Sequence, residues 1–254
     1  MKKKLKKYHF LPLNLSDIEK IPFNIYHLPM SKNLFSLILS CLLAFSVNAS
    51  EALFEKYANS AVNGASLVER QGVAYQVNTT KPFSGRFIGY EDDFGLCVTE
   101  AGSYKNGLLH GAYEEYDGCG IAYSFKTNYK KGLEHGLYTG FDEGYLNLEG
   151  YMKNGKMDGK WVAYDYGRVS EESFYDDDEL IRYVEYWYHD NGQIQSKQAF
   201  NSSENLDGIS EAWHGNGQLE ARAEFDNGEL VEIIEQYDMN GNPTNFDING
   251  NPNN

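Results

Sequence analysis

The sequence predicts an all-β chain: an elongated, twisted antiparallel meander of about seven β-hairpin repeats with a period of about 24 residues. Three observations carry that prediction. First, a unit built on two glycines recurs as Tyr104-Lys-Asn-Gly107-Leu-Leu-His-Gly111, Tyr129-Lys-Lys-Gly132-Leu-Glu-His-Gly136 and Met152-Lys-Asn-Gly155-Lys-Met-Asp-Gly159. Looser copies read Asn205-Leu-Asp-Gly208 and Phe225-Asp-Asn-Gly228. Second, a glycine closes an acidic or Asn-rich turn at positions 95, 120, 144, 167, 192, 217 and 241, at intervals of 23 to 25 residues. Third, aromatics reach 15% beside 25 Gly and only 6 Pro. Rings pack on pleated surfaces, and Gly tolerates the positive φ that tight turns need.

The elements follow in order. Leu34 to Val47 is a 14-residue apolar run, shorter than the roughly 20 residues of a spanning helix. Val47-Asn48-Ala49 follows it with small or short residues at the −3 and −1 positions of a cleavage site, so residues 1–49 read as an export signal. Met30-Ser-Lys-Asn would supply its basic start, which makes Met30 the expected site of initiation. Residues 50–66 form a leader, either a short helix over 51–62 or a flexible segment. The repeat domain spans 67–241, and the Asn- and Pro-rich residues 242–254 read as a disordered tail.

Within each repeat, Asn-Gly and Asp-x-Gly close hairpins because Asn, Asp and Gly reach the left-handed region. An aromatic precedes each long turn: Tyr90, Tyr116, Phe141, Tyr164, Tyr188, Trp213 and Tyr237. Two residues after the turn Gly stands Cys97, Ala122, Leu146, Val169, Ile194 or Leu219. A lone hairpin is marginal in water, but stacked hairpins share one apolar surface. Residues 170–182 depart most: Asp176-Asp-Asp-Glu179 replaces the second turn, and Arg182 stands where a Gly is expected, which predicts a more exposed or irregular turn.

Charge narrows the function. The net charge is −15, and residues 1–49 hold seven Lys against Asp17 and Glu19, leaving 15 basic and 35 acidic residues, a net of −20, on residues 50–254. Such a chain repels phosphate backbones and anionic headgroups, which argues against nucleic acid and anionic membranes and for a basic partner. Cys97 and Cys119, about one repeat apart, either bridge neighbouring hairpins or remain free thiols; an oxidising compartment favours the bridge.

Candidate chemistry is weak. His110 with His135, and His189 with His214, occupy equivalent positions one repeat apart. Two strands at ~4.8 Å place equivalent positions ~10 Å apart, too far for one zinc. The acidic turns match no calcium loop closed by a bidentate Glu. No nucleophile elbow, zinc helix or phosphate loop is present in the sequence. A non-enzyme without cofactor or metal is the expectation.

The Tyr-x-Asn-Gly-x-x-x-Gly units resemble MORN repeats. The Leu67–Tyr75 opening, Pro82-Phe-Ser-Gly85 and the alternating Asn-Gly turns resemble more closely the bacterial MORN-variant proteins labelled YwqK-like antitoxins. The resemblance covers residues 67–241. It implies a repeat scaffold for protein–protein contacts, in the antitoxin case one that neutralises a toxin. With the export signal, the expectation becomes a periplasmic or extracellular binding protein of immunity type. The alternative is an envelope protein that self-associates through open sheet edges. Tyr116, Tyr164, Tyr188 and Trp213 are the expected contact residues, since Tyr and Trp are favoured interface anchors.

Overall fold

The structure, a computed structural model, describes residues 52–92 and 95–244. The expected export signal at 1–49 and the final ten residues of the expected tail lie outside the described residues. A five-residue helix, α1 (Leu53–Tyr57), opens the described chain. The strands that follow are β1 (Ala61–Asn63), β2 (Leu67–Arg70), β3 (Val73–Gln76), β4 (Gly85–Tyr90), β5 (Val98–Lys105), β6 (Leu108–Leu109), β7 (Gly111–Asp117), β8 (Ala122–Lys130) and β9 (Leu133–Glu134). Then come β10 (Gly136–Asp142), β11 (Tyr145–Lys153), β12 (Lys156–Met157), β13 (Gly159–Asp165), β14 (Arg168–Asp176), β15 (Glu179–Tyr188), β16 (Ile194–Asn201), β17 (Gly208–Trp213), β18 (Leu219–Asp226) and β19 (Glu229–Gln236).

From β4 to β19 the chain is the expected antiparallel meander, each long strand pairing with the next. The short strands β6, β9 and β12 are extensions of hairpins. β1 adds to the outer edge of β4 in parallel, so this sheet holds 17 strands; β2 and β3 form a separate hairpin. The β2–β3 hairpin is tied to the sheet where the Ala74 N–H donates to the Gly107 carbonyl at 2.8 Å.

One residue is extra in each long hairpin. The register shifts beside Tyr90, Tyr116, Phe141, Tyr164, Tyr188 and Trp213, so the pre-turn aromatic sits at a β-bulge in six successive repeats. In four of them it faces the apolar residue two past the turn Gly: Phe141 opposite Leu146, Tyr164 opposite Val169, Tyr188 opposite Ile194 and Trp213 opposite Leu219. In the first two the partner moves one residue on, to Val98 and Tyr123. Bulges increase local twist and reverse which way later side chains point relative to a simple count of two.

The second turns lock neighbouring repeats. The N–H at the second left-handed position of the turn reaches a carbonyl of the preceding repeat: Gly107 to Phe83 at 2.6 Å, Gly132 to Leu109 at 2.8 Å, Gly155 to Glu134 at 2.8 Å and Gly228 to Leu206 at 2.7 Å. Asp178, with φ of 75°, fills the same slot and donates to the Met157 carbonyl at 3.0 Å. Its carboxylate also accepts the Met157 N–H at 2.6 Å, and Lys156 pairs with Asp177 at 2.6 Å. The acidic turn is therefore a regular lock, which corrects the expectation of an irregular one: Asp reaches the left-handed region at modest cost. Arg182 has the real consequence. Gly111, Gly136, Gly159 and Gly208 take φ between 77° and 115° and open their strands, whereas Arg182 has no positive φ, and β15 runs ten residues as one strand with a register shift at the neighbouring Ile181.

Packing is concentrated at the N-terminal end. Leu53 and Tyr57 of α1 press on Ile88, Val98, Ala101 and Tyr116, forming the buried core cluster. The leader is thus helical only over Leu53–Tyr57, with Leu53 and Tyr57 buried and Phe54 partly so, and β1 takes the end of the range expected to be helix. The buried Glu114 carboxylate beneath it accepts the Leu53 N–H at 2.8 Å and the Tyr116 hydroxyl, with Lys126 at 3.6 Å. Across the other surface, rings lie over small residues: Phe87 pairs with Gly102, Tyr113 with Thr127, Tyr138 with Gly150, and Trp161 with Ser173. The rings step along at centroid separations of 6.5 Å (Phe87–Tyr113), 5.8 Å (Tyr113–Phe125), 5.7 Å (Phe125–Tyr138) and 5.5 Å (Tyr138–Trp161). In a single-layer sheet these rings bury one another and the glycines beneath them. Among the described residues none beyond Val184 is buried.

Candidate interaction face

The strand registers assign each strand side chain to one of two faces. The helix face carries α1, Ile88, Ala101, Glu114 and Lys126. The open face carries the ring row and, alongside it, Glu100, Glu115, Glu171 and Glu185. Charge divides between them. On the helix face Glu114 pairs with Lys126 at 3.6 Å, Glu172 with Lys160 at 2.7 Å, Glu211 with Lys197 at 3.9 Å, and Glu211 with Arg222 at 2.7 Å. Arg222 also pairs with Glu235. On the open face Glu100 stands directly opposite Glu115, and Glu171 directly opposite Glu185. Alternation from these registers puts Arg86, Lys126, Lys160, Arg182, Lys197 and Arg222 on the helix face. Arg168, beside its turn, is the exception; its guanidinium lies 5.4 Å from the Tyr188 ring centroid.

Like charges facing across a ladder are unfavourable. The Tyr113 hydroxyl relieves one, donating to Glu100 at 2.6 Å, and burial together with that hydrogen bond drives the Tyr113 phenol far up. Glu115 is held above the usual carboxylate range by burial first, then by the Glu100 and Asp117 charges. The Glu171–Glu185 pair has a hydroxyl from Ser173 on Glu171 and, among the described residues, no Lys or Arg within ion-pair distance.

The expected contact residues are partly core. Tyr116 is 6% exposed, under Phe54 of α1 at 5.2 Å between centroids, so it is not a contact residue: it closes the core. Tyr164, Tyr188 and Trp213 are half-buried on the helix face. The Tyr164 hydroxyl donates to Glu149, and that bond, with burial, pushes its phenol up to about 12. The Tyr188 hydroxyl donates to the Val169 carbonyl at 2.8 Å.

The aromatics that face solvent are others. Tyr145 is 73% exposed, Tyr166 97% and Trp187 56%. Tyr166 pays twice: its ring is in water, and its backbone has φ of 46°, a region unfavourable for a bulky side chain and ordinarily given to Asn or Gly. A hollow of about 720 Å³ on the open face is lined by Ala163, Asp165, Tyr166, Glu171, Glu185 and Trp187 among others. A second, of about 570 Å³, lies between the turns at Tyr145 and Tyr166, and Asp165 and Tyr166 line both. Repeat counting could have found Tyr166, as one of two aromatics, with Phe94, in a turn slot filled elsewhere by Cys, Glu or Asn. Trp187 stands one residue before the column residue Tyr188, in a slot filled elsewhere by Gly, Glu, Ala or Gln.

The remaining polar candidates are structural. Cys97 and Cys119 are joined by a disulfide that staples the first two long turns. With Glu91 they form the one cluster of three potential metal-ligating side chains among the described residues, and the disulfide occupies both sulfurs. His189 Nε2 meets the Trp213 carbonyl at 2.8 Å, and His214 Nε2 meets that of Tyr237 at 3.0 Å. Asn191 and Asn216 donate likewise to Gly215 and Met239. Each His-x-Asn turn therefore struts the next repeat. No protein-family model matches the chain, and no curated protein matches it. Among the described residues no helix is long and apolar enough to cross a membrane.

Proposed function

We propose that the chain is an exported, non-enzymatic repeat scaffold that binds a partner protein through the exposed aromatic and acidic surface around Tyr145, Tyr166 and Trp187. The carrying observation is Tyr166, which is 97% exposed and held at φ of 46°. Nothing in the hairpin requires a tyrosine there, and strained residues with exposed apolar surface gather at recognition sites. The apolar run and cleavage site at residues 34–49 support export, and the MORN-variant resemblance supports a binding role, with a toxin acting outside the cytoplasm as its partner. The single-layer sheet offers open hollows, which suit a protein surface better than a small substrate needing enclosure.

The test is quantitative affinity capture with the full-length chain beside Tyr166→Asn, Tyr145→Ser and Trp187→Ala variants. One stoichiometric partner, retained by the wild type and lost by the variants while their folding is unchanged, is the expected result. Equal retention by all three variants would sink this reading. A second reading is self-association through β19, whose outer edge, among the described residues, meets Pro243 and Thr244 at its C-terminal end and carries exposed Val231 and Ile234. Concentration-dependent oligomers without any partner would favour it.

A further inference from the structure

The proposed surface has a chemistry that specifies its occupant. Eight carboxylates belong to the open face by register: Glu100, Glu115, Glu134, Glu171 and Glu185 within strands, and Asp117, Asp142 and Asp165 at the ends of β7, β10 and β13. Among the long strands of the described residues Arg168 alone answers them there by register; it also lines the 720 Å³ hollow, with its guanidinium 5.4 Å from the Tyr188 ring centroid. The helix face of the same strands, by contrast, pairs its glutamates with lysine or arginine at five positions. The sheet thus gives several helix-face glutamates a cation, with Glu224 opposite Glu232 as an exception, and leaves the open face almost without lysine or arginine. Solubility would call for scattered charge; it does not explain why the cations of the long strands collect on one face.

The two opposed pairs differ in access. Glu100 and Glu115 lie at the N-terminal end, with Glu100 engaged by Tyr113 and lining a hollow that Leu67, Val68 and Glu69 of the β2–β3 hairpin also line. Glu171 and Glu185 open into the 720 Å³ hollow, with the exposed Trp187 indole two residues from Glu185 on the same face. Two carboxylates facing each other beside an aromatic ring form a receptor for one ammonium or guanidinium, which meets both anions and the ring together. The exposed rings of Tyr145 and Tyr166 extend the surface toward Asp142 and Asp165, so the occupant brings apolar contact as well as positive charge. That combination is polypeptide.

We infer that this groove, in deepening the binding role proposed above, takes an extended cationic segment of the partner protein, with one Lys or Arg side chain seated between Glu171 and Glu185 against Trp187. The partner's further cations run along Asp165 and Asp142, whose repeats are spaced by two strands, about 10 Å.

The test uses the full-length chain and a fluorescein-labelled eight-residue peptide of alternating arginine and threonine, with anisotropy as readout. A glutamate–threonine peptide is the charge control, and spermidine the small-polycation competitor. The Arg–Thr peptide binds, and Glu171→Gln with Glu185→Gln weakens it about tenfold, the scale of two partly exposed ion pairs. Trp187→Ala weakens it about three- to fivefold. Both substitutions of glutamate remove like-charge repulsion, so the variant keeps its fold by circular dichroism. The control on the helix face is Glu224→Gln with Glu232→Gln, another directly opposed pair, which changes affinity less than twofold. Equal losses from both double variants would mean diffuse attraction to an acidic protein and overturn the site. So would displacement by spermidine at the peptide's own concentration, or absence of peptide binding. Capture of a partner that is indifferent to Glu171→Gln and Glu185→Gln overturns this inference alone, whereas failure of capture altogether overturns the binding role beneath it.

Discussion

Trp161 lies across Gly150 so closely that a β-carbon added at Gly150 would sit 2.1 Å from the indole Cδ2. The contact lets a single-layer sheet bury an indole to 4% exposure without a second layer. Gly150→Ala must move the ring or the strand, and overpacking of this kind costs about 2–3 kcal/mol. A fall of that size in chemical-denaturation stability, with a change in tryptophan emission, is expected. Gly102→Ala, whose β-carbon would stand 2.9 Å from ring atoms of Phe87 and Tyr113, should behave alike. A neutral result at both positions would mean that the ring row does not organise the sheet.

Cys97 and Cys119 close a loop with a sequence separation of 22. Loop-closure entropy for a loop of that length corresponds to about 3 kcal/mol. Cys97→Ser with Cys119→Ser should lose stability on that scale, and reduction of the wild type should reproduce the loss. Differential scanning calorimetry with and without reductant compares the two directly.

Glu115 gives a pH signature. Burial, and then the charges of Glu100 and Asp117, raise its carboxyl above the usual value in the folded state. A raised folded value means that the folded state binds the proton more tightly than the unfolded one. The associated stability is present at pH below the unfolded carboxylate range and is lost as pH rises through the folded value. Glu115→Gln should therefore raise the urea midpoint at pH 7, and the gain should vanish near pH 3. A gain of equal size at both pH values would assign the effect to packing.

Asp178 occupies a glycine slot at φ of 75° while its carboxylate holds the Met157 N–H. Asp178→Gly keeps the backbone and loses that bond, which should come close to balance. Asp178→Ala keeps the strain, loses the bond and should cost about 1–2 kcal/mol. Equilibrium unfolding of both variants separates conformational strain from the hydrogen bond.

The turns, the period and the meander were legible in the sequence because each rests on a local demand. A left-handed residue at Asn106-Gly107 or Asn154-Gly155 has few chemical solutions, and the chain restates them at one spacing. The pairing of Cys97 with Cys119 was open from spacing alone and needed the adjacency of two hairpin turns. What only the tertiary structure decided is direction. An extra residue in each long hairpin, such as Ser124 between Tyr123 and Phe125 opposite Tyr116 and Glu115, breaks the count of two by which faces are read from sequence. Tyr116, expected as a contact because Tyr is a favoured anchor, is core because α1 packs over it, while Trp187, one residue before its bulge, is exposed. The same reversal hid the gathering of lysine and arginine on one face and the meeting of Glu171 with Glu185. Periodicity is a property of the chain; facing is a property of the register, and register exists only once the strands have paired.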